Sequence, residues 1–141
     1  MGNAAYRYSE SGLGQVTLVG GVTHHDTPYG KGQSITAVGR LHAAIRAAVL
    51  ERPGMFDGRV LKFLRGELEV DIAGLAAMLG VAVDALRGFE ADERGMLPAE
   101  LVEKLSSVAS DRLGTPISSA RKSYIKHTDL LFNYNGDWNL M

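Results

Sequence analysis

Apolar residues recur every three or four positions between residues 34 and 51, which is the spacing of one helix face. Four residues form this stripe: Val38, Leu41, Ile45 and Val49. The pattern predicts a helix that begins near Ser34 or Thr36 and ends near Glu51, because Pro53 and Gly54 cannot easily continue it.

The next part of the chain predicts two further helices that meet at a tight corner. Asp71 is a good N-cap for the first of them, and Gly80 stands where a left-handed residue would end it. Val81 then fills the corner, and Leu86 and Phe89 face inward on the second helix. This spacing meets the steric needs of a helix-turn-helix, although a generic helical bundle with a glycine corner would give the same pattern.

The N-terminal part of the chain predicts short strands. An alternating segment over residues 15–19 is followed by Gly20-Gly21, which suits a tight hairpin turn, and then by a second segment over 22–27. Residues 26–32 have the composition of a loop. We therefore expect a β-hairpin with the glycine pair at its turn.

A second hairpin is predicted at the C-terminal end. Asn135-Gly136 separates the apolar segment 130–134 from residues 137–141, and Asn-Gly between apolar segments is a strong hairpin signal. An isolated hairpin is only marginally stable, so this one must dock on the protein or on a second copy. Trp138 would then either anchor an interface or close the local core.

Several short motifs together resemble a known group of bacterial proteins. The helical part resembles the Xre/Cro helix-turn-helix domain in Leu64-Arg65, Leu75-Ala76, Leu79-Gly80-Val81 and Phe89-Glu90. The upstream part resembles regulators related to the MqsA-type antitoxins in residues 8–13 and 16–22, Thr27-Pro28-Tyr29-Gly30 and Leu41-His42. The resemblance covers residues 6 to 108, and Gly136-Asp137-Trp138 is a weaker match.

The resemblance implies a mainly α fold. Its core is a five-helix, lambda-repressor-like helix-turn-helix unit with a small N-terminal β-hairpin segment and a C-terminal β-hairpin. We expect the N-terminal β segment over residues 1–33, the helix-turn-helix domain over 34–112 and the C-terminal extension over 113–141. Within the core, a helix over residues 59–68 precedes the corner and another begins near Pro98.

The function that the resemblance implies is sequence-specific DNA binding by a homodimeric transcription regulator. Such a protein acts as a repressor or as an antitoxin, with an operator-like duplex and a toxin as its partners. The outward positions of the second corner helix include Ala82, Val83, Asp84 and Arg87. Arg87 is the best suited to a base edge, Asp84 can accept a hydrogen bond from cytosine, and the two apolar residues offer only contact with a thymine methyl.

A second group of candidate residues lies one helix earlier. Arg59, Lys62 and Arg65 are three positions apart and share one side of their helix. They are either a stripe that faces phosphates or an ordinary solvated face that pairs with nearby acids.

The chain departs from the group in two ways. Many relatives carry a zinc domain or a cysteine in the opening motif, where this chain has Ser11, so no structural zinc is carried over. Acidic residues also flank the corner helices, which opposes phosphate binding: Glu67, Glu69, Asp71, Glu90, Asp92 and Glu93. The alternative is a degenerate helix-turn-helix protein that has lost DNA binding and serves as a protein-interaction or dimerisation module.

Composition and the available motifs limit which functions the chain can have. The net charge is -1, so DNA binding would need a local basic patch, and the absence of cysteine excludes disulfides and thiolate metal sites. His24-His25-Asp26 is a poor metal site, because neighbouring strand residues point to opposite faces. The sequence has no nucleophile elbow, glycine-rich phosphate loop or outstanding carboxylate pair, so we expect no enzyme activity, metal or cofactor.

The remaining expectations concern location and the basic stretch. No apolar run has the length of a membrane span, and the first residues have no signal-peptide core, so we expect a cytoplasmic protein with no membrane partner. Residues 121–127 are the densest basic stretch. They are either an arm that touches nucleic acid or the polar face of a short helix or linker.

Overall fold

The computed structural model describes residues 5–13, 16–117 and 129–141. The chain divides into two units, which are described separately. The sheet unit comprises residues 1–45 and 129–141, and the helical unit comprises residues 46–128. This division differs from the three expected segments, because the C-terminal hairpin belongs to the same unit as the N-terminal strands.

The sheet unit contains two separate sheets. Its strands are β1 (Ala5–Arg7), β2 (Val16–Val19), β3 (Val22–Thr27), β4 (Gly30–Ile35), β5 (Leu130–Tyr134) and β6 (Trp138–Leu140). The larger sheet has the order β1-β2-β5-β6, in which β2 and β5 are parallel and the outer pairs are antiparallel. The buried side chains of the sheet unit include Leu13, Val16, Leu18, Leu130 and Phe132.

The N-terminal hairpin is formed by β3 and β4, not by β2 and β3 as the sequence pattern predicts. β2 does not pair with β3; instead β3 pairs with β4 across a two-residue turn at Pro28 and Tyr29. The prediction of a hairpin at Gly20-Gly21 was therefore wrong, and so was the prediction of a loop over 26–32. Both glycines do have positive φ, but Gly21 serves the close approach of Trp138 rather than a hairpin turn.

The C-terminal hairpin forms as Asn135-Gly136 predicts. β5 and β6 are antiparallel, and β5 docks on β2 of the same chain, with Leu18 paired to Phe132 in register. Trp138 is buried, and its indole N–H donates a hydrogen bond to the carbonyl oxygen of Thr36 at 2.7 Å. Trp138 therefore closes the local core, which was one of the two roles predicted for it.

The helices follow the predicted order. They are α1 (Val38–Leu50), α2 (Gly58–Leu68), α3 (Ile72–Leu79), α4 (Val83–Ala91) and α5 (Ala99–Leu113), with α1 beginning in the sheet unit and ending in the helical unit. The first helix starts later than expected because β4 extends to Ile35. About half of the described residues are helical, and two small sheets accompany the five helices, which is compatible with the predicted mainly α fold with β elements.

The core of the helical unit comes from the inward faces that the periodicity predicts. Its buried apolar side chains are Ala48, Val49, Leu50, Met55, Phe56, Val60, Leu61, Phe63, Leu64, Leu75, Ala76, Leu79, Leu86, Leu97, Leu101, Val102, Leu105 and Ala109. Phe89, which was expected inward, is only half-buried and lines a hollow of about 190 Å³ with Val81, Pro98 and Leu101.

Two further observations bear on the expectations. Among the described residues, no single helix has the length and apolar composition of a membrane span. Only α3 and α4 taken together have that length and composition, and a sharp bend separates them. The basic stretch 121–127 lies outside the described residues.

Candidate functional site

The helices α3 and α4 meet at a sharp corner in the helical unit. Three residues separate the helices, and the chain changes direction by 113° between them. Gly80 has φ +69°, and the Val81 amide donates a hydrogen bond to the Ala76 carbonyl at 3.1 Å, so the end of α3 is closed by a left-handed residue as predicted. Leu75 and Leu86 are fully buried on the inner sides of the two helices.

The outer face of α4 carries the residues predicted to read DNA. Ala82 is exposed and Val83 is half-exposed at the start of the helix, where no side chain caps the free amides. Asp84 and Arg87 are 3.4 Å apart, and their side chains are 95% and 63% exposed. An exposed pair at this distance contributes little energy, so Arg87 can leave Asp84 for another partner.

Arg59 is held inside the helical unit rather than presented to solvent. Its guanidinium lies 2.9 Å from Asp57, and the two side chains are 17% and 1% exposed. Asp57 is also the N-cap of α2, where it accepts hydrogen bonds from the amides of Arg59 and Val60. The sequence pattern missed this role of Asp57, although an aspartate before a helix is itself a capping signal.

Arg65 is also held in place, by the far end of α4. Its Nε donates to both carboxylate oxygens of Glu90, at 3.0 and 3.2 Å, and its Nη1 donates to the Val70 carbonyl at 3.2 Å. The side chains of Arg65 and Glu90 are 26% and 9% exposed. Arg65 therefore ties α2 to α4 and to Val70, in the connection between α2 and α3. Lys62 is exposed and has no ion pair with another described residue.

The first turn of α3 is already capped by a negative charge. Asp71 Oδ1 accepts a hydrogen bond from the Gly74 amide at 2.7 Å, as the sequence predicts. The carboxylate occupies the position from which a phosphate would otherwise accept these amide protons. A phosphate that approached this helix end would have to displace Asp71 or meet its charge.

The exposed charges around the corner have a negative balance. In the segment 58–95 the exposed acids are Glu69, Asp71, Asp84, Asp92 and Glu93, and the exposed bases are Lys62, Arg87 and Arg94. The negative charge of this surface results partly from the ion pairs that bury Arg59 and Arg65, because both predictions from the sequence had placed these arginines on the surface. Three exposed bases against five exposed acids make a weak electrostatic footprint for a polyanion.

His25, His42 and Ser11 are engaged in local contacts. His25 Nε2 lies 2.7 Å from the Ser34 hydroxyl on β4, and His42 Nε2 lies 2.7 Å from the Tyr8 hydroxyl. Ser11 is buried and donates to the Tyr8 carbonyl. The described residues contain no group of three or more acidic or histidine side chains that could hold a metal ion.

One titratable group near these residues is perturbed. The Tyr6 hydroxyl donates a hydrogen bond to Glu10 at 2.7 Å, and this bond raises the pKa of Tyr6 above its ordinary value. Tyr6 is half-buried and belongs to the sheet unit.

No protein-family model matches this chain, and neither does a curated protein or a solved structure.

Proposed function

We propose that the chain is a sequence-specific DNA-binding regulator that acts as a homodimer and inserts α4 into the major groove. The observation that carries this proposal is the corner itself: two short helices, a three-residue turn and a change of direction of 113°. Helices that read the major groove are joined in this way, at about 90–120°. The exposed Arg87 on the outer face of α4 supplies one side chain that can bind a guanine edge.

The Arg65 and Glu90 contact supports the same proposal. It fixes the C-terminal end of α4 against α2, while the buried Leu86 fixes its middle. A helix that reads base edges must be held rigidly by its supporting residues, because small displacements lose the hydrogen bonds. Arg65 therefore holds α4 in position, and Arg59 pairs with the N-cap of its own helix, so neither guanidinium is free to bind phosphate. Lys62 is left as the candidate phosphate ligand of α2.

Replacing Arg87 by alanine should weaken binding to a cognate duplex by about 1–3 kcal/mol if Arg87 binds a guanine. The measurement is a fluorescence titration of the protein against the DNA upstream of its own coding sequence and against a scrambled duplex. Arg94→Ala is the matched control, because Arg94 is exposed and outside α4. We expect the control to lower both affinities equally and Arg87→Ala to lower the selectivity; equal selectivity in both variants would remove Arg87 from base reading.

A second candidate function is favoured by the charge balance around the corner. The exposed acids outnumber the exposed bases, and Asp71 already caps α3. A surface of this kind, with Ala82 and Val83 at its centre, suits a protein partner better than a polyanion. The candidate is a protein-interaction module built on a helix-turn-helix scaffold.

Val83→Lys separates the two candidates, because it has opposite effects on them. On a DNA-binding face the added charge should raise DNA affinity and steepen its salt dependence by about one counterion. On a protein-binding face the same lysine would be buried without a partner and should break the complex. The DNA titration is repeated at two salt concentrations, and a variant with unchanged DNA affinity and salt slope would count against the DNA-binding face.

A further inference from the structure

The outer face of α5 carries charges that complement those of a second copy of the same helix. Lys104 and Asp111 are exposed and lie seven positions apart, which is about two turns, so their side chains share one face. Between them lie Ser107, which is exposed, and Val108, which is half-buried. Helical periodicity predicts Val108 on the inward face of α5 together with Leu101 and Leu105, but Val108 is only half-buried.

A two-fold axis that runs beside α5, perpendicular to it and level with the midpoint between Ser107 and Val108, exchanges the two charged positions. When two antiparallel copies of the helix are related by this axis, Lys104 of one copy lies opposite Asp111 of the other, and the pair occurs twice. The two positions are equally far from the midpoint, and both are exposed on the same side of the helix. Lys104 of one copy and Asp111 of the other therefore lie at the same level along the helix pair and on the same side of it.

The middle of this face is shaped for close helix contact. Two shallow hollows of about 400 and 430 Å³ adjoin it and share Met78, Ser107 and Val108. Met78 lies on α3 and is half-buried. Small residues at the centre of a helix pair allow axes to approach to about 8–10 Å, and the flanking apolar side chains then fill the hollows.

The fold of the protomer does not depend on these residues. α5 packs on its own unit through the opposite face, with Leu101, Val102, Leu105 and Ala109 buried. Lys104 pairs with Glu100 of its own helix at 3.4 Å, but the side chains are 43% and 82% exposed. Such a pair is weak, so Lys104 can exchange it for a carboxylate on another molecule.

The geometry points to α5 as the homodimer interface: two copies pair antiparallel about an axis between Ser107 and Val108, and Lys104 of each copy binds the partner's Asp111. The occupant of this face is thus a second copy of the chain. The inference does not depend on DNA binding by α4, because the oligomeric state is read without DNA. If the corner does bind DNA, the dimer supplies the two copies of α4 that a palindromic site requires.

Charge reversal at the two positions tests the interface. Lys104→Asp and Asp111→Lys each place like charges opposite one another twice in a homodimer, and each should raise the dimer dissociation constant at least about tenfold. A mixture of the two single variants restores both opposite-charge pairs, so a heterodimer should form. The double variant Lys104→Asp/Asp111→Lys should also dimerise again. Sedimentation velocity of the full chain measures all four samples beside the natural protein.

The expected result is a dimer for the natural protein, monomers for the single variants and dimers for their mixture and for the double variant. Circular dichroism shows that each variant is folded, and Arg94→Glu, which lies outside α4 and α5, is the control for a charge reversal elsewhere and should leave the dimer intact. A monomeric natural protein would overturn the inference. So would a dimer that survives both single reversals, or single variants that stay monomeric after mixing.

Discussion

Replacing Asp57 by alanine should lower the free energy of unfolding of the helical unit by about 3 kcal/mol or more. The carboxylate accepts two backbone amides at the start of α2 and lies 2.9 Å from the guanidinium of Arg59. Both side chains are largely buried, so the variant leaves an arginine without its partner as well as a helix without its cap. The measurement is urea unfolding followed by far-UV circular dichroism.

Two variants separate the parts of this effect. Asp71→Ala removes an exposed N-cap with one amide partner and should cost about 1 kcal/mol. Asp57→Asn keeps an acceptor for the amides but removes the charge that Arg59 faces, so its loss should be intermediate. If Asp57→Ala cost no more than Asp71→Ala, the ion pair with Arg59 would have no measurable role.

The Asp57 variant should also affect the candidate site. The segment after α4 is attached to the start of α2, because the Arg59 amide donates to the Glu93 carbonyl at 3.3 Å and Asp57 forms a β-bridge with Met96. A side chain at Gly58 would overlap the Phe89 carbonyl oxygen at the end of α4. Loosening the start of α2 therefore releases the C-terminal end of α4, and we expect weaker DNA binding in the same variant.

Replacing Gly21 by alanine should destabilise the sheet unit by about 3 kcal/mol, part from overpacking and part from a left-handed backbone. A Cβ at this position would lie 2.7 Å from the Trp138 ring and 2.9 Å from the Tyr134 Cβ, and φ is +69°. The ring cannot move away easily, because its N–H is bonded to the Thr36 carbonyl. The chain has one tryptophan, so Trp138 fluorescence follows the unfolding of this unit.

Gly12→Ala is the matched control for the backbone contribution. Gly12 has φ +82°, but a Cβ there would meet no atom of the described residues within 4 Å beyond its chain neighbours. This variant should therefore cost only about 1 kcal/mol. Equal losses for the two variants would mean that Trp138 tolerates the added methyl group, which would contradict the close packing at Gly21.

Features that depend on neighbouring residues could be predicted from the sequence. Asp71 caps α3, Gly80 ends it in a left-handed conformation, and both predictions are confirmed. Asn135-Gly136 likewise gives the C-terminal hairpin. In each case the hydrogen bonds that decide the structure join residues only a few positions apart, so the local sequence contains the information.

The partners of the strands could not be predicted in this way. β2 pairs with β5, which places Val16 beside Leu130, and no local pattern indicates so distant a neighbour. The sequence Gly20-Gly21 is compatible with a hairpin turn and also with close packing against an aromatic side chain. The second holds in the structure, because the Trp138 ring packs against Gly21, and no local pattern shows that Trp138 lies there.

The candidate site shows the same division. Helical periodicity places Arg87 on the outer face of α4, and the structure has it there. The state of Arg59 and Arg65 depends on Asp57 and Glu90, and the second of these partners is 25 positions away. The spacing of Arg59, Lys62 and Arg65 predicts a stripe of three surface cations. In the structure two of them are held in ion pairs, and only Lys62 is exposed.

Binding of the natural protein to DNA tests the central proposal most directly. The protein is titrated against the duplex upstream of its own coding sequence and against a scrambled duplex, at two salt concentrations. The proposal predicts selective binding that weakens steeply with salt, because α4 and the exposed bases displace counterions from the duplex. Equal or absent binding to both duplexes at low salt would contradict it and would leave the face around Val83 and Arg87 to a protein partner.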